Sequence, residues 1–298
     1  MPPLVHHPDY DAATVSDDHR FPMRKYSLVA SALRARGATF HEPVHAPVQW
    51  LQLAHDAAYV DAVLTSTLDR AASRKIGFEI TPAIARRSRA SCAGTALAAR
   101  LAIEYGAAAN LAGGSHHAFR ESGAGFCVFN DVAVAGTLLL SEGLVRRIAV
   151  IDCDVHHGDG TASIFADDPR VFTASLHCED NWPRTKPPSD LDIGLPKGAG
   201  DADYSAALDA LLEQVFTAGP FDLVFFNAGV DPHTEDRLGL LELSDHGLET
   251  RDLRVAEACA ARGTPICGVL GGGYGKDPAQ VAARHLYMVS ALGAVMSR

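Results

Sequence analysis

Three carboxylates and two imidazoles crowd into one short segment: Asp152, Asp154, His156, His157 and Asp159 in RIAVIDCDVHHGDGT, residues 147–161. The segment opens with Ile148, Ala149, Val150 and Ile151, an apolar run of the kind that forms a buried strand. Successive side chains on a strand point to opposite faces. If the strand continues, Asp152, Asp154 and His156 therefore share one face. Burying three such groups together is costly without compensation. A divalent cation supplies it, because carboxylate oxygen and imidazole nitrogen are both good ligands. The plain alternative is a polar strand end running into a Gly-rich turn.

Three other stretches carry reactive residues: GGSHH at 113–117, GVDP at 229–232 and GGGY at 271–274. Singly, each has a structural explanation: a buried histidine pair, a turn before proline, a tight turn with a packed aromatic. Each also follows a predicted strand, and open α/β sheets bind ligands beyond the carboxyl ends of their strands. Brought together, Asp154, His156 and Asp231 give three ligands with positions left open, the pattern of a catalytic rather than a structural zinc. His116 and His117 offer a general base and a general acid, and Asp152 and Asp159 can orient them through their other ring N–H. Tyr274 can donate to a developing oxyanion. The reaction class is metal-assisted hydrolysis of an amide or ester.

The elements that must position these residues alternate along the chain. Helices are expected over 25–37, 55–68, 82–105 (opened by Thr81-Pro82, an N-cap followed by proline), 130–140, 204–216, 249–262 and 279–295. Strands are expected over 107–111, 147–154, 171–176, 221–228 and 265–270. Such alternation predicts a parallel sheet covered on both faces, here as one α/β domain over residues 1–298. Residues 177–203, rich in Pro, Gly and Asp, read as a long irregular loop at the rim of the pocket. His6-His7 have no carboxylate cluster beside them and read as structural or exposed.

The composition, 47% hydrophobic with a net charge of −10, provides a sizeable core. It argues against sequence-independent nucleic-acid binding, which needs basic residues to neutralise phosphates. The six cysteines lie far apart without a C-x-x-C pair, which argues against a thiolate zinc site and fits a reducing compartment. No signal peptide or membrane-length apolar run is evident. A soluble cytoplasmic protein is the expectation, and a homodimer is compatible with it.

The stretches GGSHHAFRESGAGFCVFND, IDCDVHHGDGT, NAGVDPHTEDRLG and LGGGY together resemble the histone deacetylase superfamily, including its bacterial acetoin-utilisation and acetylpolyamine amidohydrolase relatives. HRFPMRKY and HCEDNWPRTKPPSDLDIGLP are closest to the small bacterial and class IV-like members. The resemblance implies a single-domain, arginase-like three-layer fold with a central parallel sheet. It implies Zn²⁺ on Asp154, His156 and Asp231, with Fe²⁺ compatible with the same ligands. His117 is then the main base and His116 its electrostatic or acid partner, paired with Asp159 and Asp152 respectively, while Tyr274 polarises the scissile carbonyl. A structural K⁺ is implied near Asp152, Asp154, the main chain at His156, Ser175 and Leu176. Phe126 matches one aromatic wall of a substrate tunnel and Trp182 is the candidate for the other, with Gly125 and Gly272 as further substrate contacts.

The function implied is removal of an acyl group, acetyl first, from lysine in a protein or peptide, with acetylated polyamine or another small amide as the alternative. A two-metal ureohydrolase is disfavoured because Gly158 stands where an alternating D-x-H-x-D pattern wants Asp. A non-catalytic acyl sensor is disfavoured by the complete set of histidines, ligands and tyrosine. His157 is expected to point into the core, Asp236 to order the Asp231 loop or to hydrogen-bond a ligand's neighbour, and His177 and His233 to be structural.

Overall fold

The strands at the centre of the molecule are those with the most β-branched and aromatic residues. Ile148–Asp152 (IAVID) and Leu223–Asn227 (LVFFN) are buried at every position, as strands with helices on both faces must be. The computed structural model describes residues 1–12, 15–16 and 18–296. Among these, the strands are β1 (Leu4–Val5), β2 (Ala107–Asn110), β3 (Ile148–Asp152), β4 (Val171–Cys178), β5 (Leu191–Leu195), β6 (Leu223–Asn227) and β7 (Ile266–Val269). They form one parallel sheet in the order β1-β2-β7-β6-β3-β4-β5.

The helices are α1 (Lys25–Ala35), α2 (Val48–Ala54), α3 (Ala57–Leu64), α4 (Arg70–Ile76), α5 (Pro82–Tyr105), α6 (Asp131–Ser141), α7 (Asp159–Phe165), α8 (Asp201–Ala218), α9 (Asp245–Ala260) and α10 (Pro278–Met296). α5 packs with α6, and α2 and α3 pack on that pair; α1, α8, α9 and α10 form the other layer. The helix starts have chemical causes. Thr81 Oγ1 accepts from Ile84 N–H and Asn130 Oδ1 from Ala133 N–H, so each caps its helix. No described helix is long and apolar enough to cross a membrane, and all six cysteines are buried free thiols.

The topology fixes where a ligand can bind. The connection from β3 runs to β4 on one side, and that from β6 runs to β7 on the other. The sheet therefore changes direction between the adjacent strands β3 and β6, where Asp152 pairs with Asn227. A crevice opens at such a switch point, and it faces the loops bearing Asp154 and Asp231.

Three expectations need correction. Residues 177–203 are not wholly irregular: β4 runs on to Cys178, and Leu191–Leu195 is drawn into the sheet as its edge strand, with Asp192 opposite Ser175. The helix expected over 55–68 is the shorter α3, preceded by α2, with His55 closing α2. Carboxylates do stand near His7. Its Nδ1 accepts from Asp9 N–H, capping the turn Pro8–Tyr10, while Asp9 Oδ2 lies 2.7 Å from His45 Nε2 and Glu42 lies 4.0 Å from His7. Its role in that turn remains structural.

Candidate active site

The acidic segment does not act by strand alternation. β3 ends at Asp152, and tight turns then bring the side chains together. Asp152 Oδ1 accepts from Asp154 N–H (3.1 Å) and Asp154 Oδ1 from His156 N–H (3.0 Å). From the β6 side, Asp231 Oδ1 accepts from Val155 N–H (2.9 Å). His156 Nδ1 ends 3.0 Å from Asp154 Oδ1 and 3.2 Å from Asp231 Oδ2. One ligand atom from each of these buried residues lies within 4.8 Å of the other two.

The electrostatics of this set call for a positive charge. Burial and the charge of Asp154 push the Asp231 carboxyl up to about 7. Burial opposes protonation of His156, yet hydrogen bonds to Asp154 and Asp231 raise it to about 10. The O, N, O donors, buried and mutually close, therefore fit a divalent cation. A Cβ at Gly272 would run into the carboxylates of Asp231 and Asp154, so only glycine lets this backbone approach; its N–H donates to Asp154 Oδ2 (2.7 Å). At Gly158 a Cβ would lie 2.5 Å from Asp152 Oδ2. The additional carboxylate of a two-metal site has no room at that position.

The two adjacent histidines are set apart by their surroundings. His116 Nδ1 lies 2.7 Å from Asp152 Oδ2, and His117 Nδ1 lies 2.6 Å from Asp159 Oδ1. Both rings thus turn Nδ1 to a carboxylate and leave Nε2 for the site. Burial works against the charge on His116, but Asp152 and Asp154 outweigh it and raise the imidazole to about 9. Burial and the charge of His116, whose ring centroid is 4.0 Å away, lower His117 to about 4. Near neutral pH one imidazole is charged and the other neutral. Two titratable groups driven apart in this way divide acid and base roles.

Tyr274 reaches the same space on a backbone with left-handed φ at Gly271 (+69°) and +148° at Gly273, values that glycine tolerates. Asp236 Oδ2 accepts its N–H (2.6 Å), and Arg237 Nε donates to its carbonyl (2.6 Å). Asp236 thus orders the tyrosine loop, and its Oδ1 also holds Leu238 and Gly239 N–H. The ring stands edge-on 6.2 Å from His156. Burial and the charges of Asp154 and Asp231 keep its phenol well above the ordinary range, so it stays protonated and able to donate.

The expected tunnel residues gather at the mouth. Phe126 has φ +66°, unusual for a bulky residue, with its N–H donating to Ile76 O (2.6 Å). Trp182 lies edge-on 4.6 Å from the His117 ring. A Cβ at Gly125 would lie 2.7 Å from His117 and 2.8 Å from Trp182.

His157 turns away, as expected. It is fully buried, with Nε2 3.0 Å from Asp192 Oδ1 and its ring edge-on 4.8 Å from His177. His177 Nδ1 in turn lies 3.0 Å from Ser175 Oγ, and His233 Nδ1 accepts from Glu235 N–H. His157→Ala is expected to lower stability by about 1–3 kcal/mol with metal content retained. Thermal unfolding and metal analysis check this; a fully stable, inactive variant contradicts the placement.

Four residues to which the sequence reading gave no role also build the site. Lys25, buried and thereby lowered to about 8, donates from Nζ to Gly271 O (2.8 Å). Asn227 Nδ2 donates to Asp152 Oδ1 (2.9 Å). Asp131 accepts the N–H groups of Gly114 and Ser115. Arg251 Nη1 donates to the carbonyls of Gly229 (2.6 Å) and Cys153 (3.2 Å), tying the loops of Asp231 and Asp154 together. Lys25, Asp131 and Asn227 stand within the stretches HRFPMRKY, GGSHHAFRESGAGFCVFND and NAGVDPHTEDRLG, whereas Arg251 lies outside them all.

The family model for the histone deacetylase domain matches residues 19–291. An uncharacterized protein of Picosynechococcus sp. is 45% identical over 287 residues, 95% of each chain. Histone deacetylase 2 of Arabidopsis thaliana is 28% identical over 310 residues, 99% of this chain and 80% of that one. A probable deacetylase of Archaeoglobus fulgidus is 35% identical over 178 residues, 55% of this chain and 48% of its own. The crystal structure of the HDA15 HD domain superposes with a TM-score of 0.82 at 23% identity, covering 98% of this chain and 88% of that one. The architecture is the same arginase-like three-layer fold.

Proposed function

The chain belongs to the histone deacetylase family, and from that premise we propose that it is a zinc-dependent deacylase that hydrolyses the side-chain amide of an acyl-lysine, acetyl-lysine first. The reading is carried by the buried Asp154–His156–Asp231 set lying beside one neutral and one charged histidine. A divalent cation on that set, Zn²⁺ or Fe²⁺, supplies a Lewis acid and lowers the pKa of water.

The chain's own groups do the rest. His117, neutral and aligned by Asp159, takes the proton of the attacking water at Nε2. His116, charged and anchored by Asp152, stabilises negative charge at the reacting centre. The Tyr274 phenol donates to the carbonyl oxygen as it becomes negative. The C–N bond breaks as the leaving amine receives a proton from the histidine pair, giving carboxylate and free amine. Phe126 and Trp182 flank the acyl-amine stem. A structural K⁺ belongs near Asp152, Asp154 and the main chain at His156, Ser175 and Leu176; the support is the direct pairing of Asp152 with Ser175 across β3 and β4.

Tyr274→Phe tests the mechanism. It removes only the hydroxyl, and the loss of one such donor costs roughly 10²- to 10³-fold in turnover. The loss is expected in kcat with KM little changed, because ground-state contacts remain. Near-wild-type kcat would remove Tyr274 from the chemistry. Absence of wild-type turnover on acetyl-lysine peptides, longer acyl-lysines and acetylpolyamines alike overturns the deacylase reading.

A further inference from the structure

The cavity bounded by Phe126 and Trp182 holds about 640 Å³, and the charged groups on its wall are Arg20, Arg74, Lys75 and Asp18. An adjoining cavity of about 610 Å³ shares Arg74 and Gly77 and adds Arg70 and Glu79. Among the described residues this mouth therefore carries four cations against two carboxylates, on a chain whose formal net charge is −10. Two of the cations donate to neutral groups: Arg74 Nε to Arg70 O (3.2 Å) and Lys75 Nζ to Ser122 Oγ (3.3 Å). Behind Arg20, the Arg237 guanidinium donates to its carbonyl (3.1 Å).

The cations are fixed to the aromatic wall. Gly125 N–H donates to Lys75 O (3.1 Å) and Phe126 N–H to Ile76 O (2.6 Å). The Phe126 ring lies against Gly77, where a Cβ would approach it to 2.8 Å, and His19 Nε2 is 3.1 Å from Gly77 O. Arg74 and Lys75, in the last turn of α4, thus stand at a set height above the stem-binding aromatics.

We propose that this rim selects its substrate by charge, favouring an acyl-lysine flanked in its peptide by Asp or Glu and disfavouring acetylated polyamines. The inference rests on the deacylase reading. An acyl-lysine whose side chain passes between Phe126 and Trp182 leaves its backbone and neighbouring residues in this cavity. Carboxylates there meet Arg20, Arg74 and Lys75; the further ammonium groups of a polyamine meet the same cations and are repelled.

The test is kcat/KM on three acetyl-lysine peptides of equal length, flanked by Glu, Gln or Lys, beside free acetyl-lysine and an acetylpolyamine. At low salt the Glu peptide is expected to exceed the Lys peptide about tenfold, several exposed pairs each contributing modestly. Free acetyl-lysine, with only its own carboxylate, should fall below the Glu peptide. The preference should shrink towards unity at 1 M salt, where the Debye length is about 3 Å. The double variant Arg74→Glu, Lys75→Glu should reverse the Glu-to-Lys ratio, a comparison within one protein that is insensitive to how much of it is folded. Equal turnover of the Glu and Lys peptides by the wild type, or a preference that survives the charge reversal, overturns the rim and leaves the deacylase standing. Absence of turnover in every arm overturns the deacylase reading instead.

Discussion

Asp231→Asn is expected to lose most of its bound divalent metal and nearly all turnover. The substitution keeps the shape of the side chain, and its amide oxygen can still accept from Val155 N–H as Asp231 Oδ1 does now at 2.9 Å. What changes is the atom facing His156 Nδ1 at 3.2 Å. An anionic acceptor becomes an NH₂ donor, and the set drops from two carboxylates to one. Removing even a partner that only orients a ligand costs about 10- to 100-fold in metal affinity; removing a ligand should cost more. Metal analysis after dialysis, with circular dichroism to verify folding, measures this directly. Full metal occupancy in a folded Asp231→Asn protein contradicts the ligand assignment, whatever its activity. The variant should not unfold for want of Asp231, because Arg251 still ties Gly229 to Cys153 from behind.

The clustering of Asp154, His156 and Asp231 was legible in the sequence because each sits within a few residues of a strand end, where local signals are dense. A β-branched run, an abrupt change to Asp and His, and a glycine or proline stop are all short-range features. The same holds for the cap at Thr81. The turn geometry was not legible. Alternation along a strand suggested a shared face for Asp152, Asp154 and His156, whereas side-chain carboxylates accepting nearby amides end β3 at Asp152 and gather the residues by a different route. β5 was hidden because LDIGL is short, half exposed and embedded among turn formers. The supports from far along the chain left least trace. Lys25 reaches Gly271 across 246 residues and Arg251 reaches Cys153 across 98. A lysine in an amphipathic helix reads as solvated until the packing of α1 against α10 buries it.

His117→Ala is expected to lower turnover about 10²- to 10⁴-fold, the usual cost of removing a general base, while the metal stays in place. Its neighbour should behave differently, and the pH profile separates them. Burial and the positive charge of His116 hold His117 near 4. A base with a lowered pKa remains unprotonated as pH falls through 6.5, so the acid limb of wild-type kcat/KM should lie below the ordinary histidine value. His116→Ala removes one lowering cause, while burial and the charge of His156 persist. The acid limb should therefore move up towards neutrality without reaching the unperturbed value, alongside a loss of rate from the missing positive charge. His117→Ala should lose that limb altogether. An acid limb in His116→Ala that stays where the wild type has it would show that the charge of His116 does not set the state of His117. A His117→Ala enzyme that keeps its limb, with turnover failing instead in His116→Ala, would exchange the two roles: the base would then be the imidazole on Asp152, at the end of β3, rather than the one on Asp159, at the start of α7.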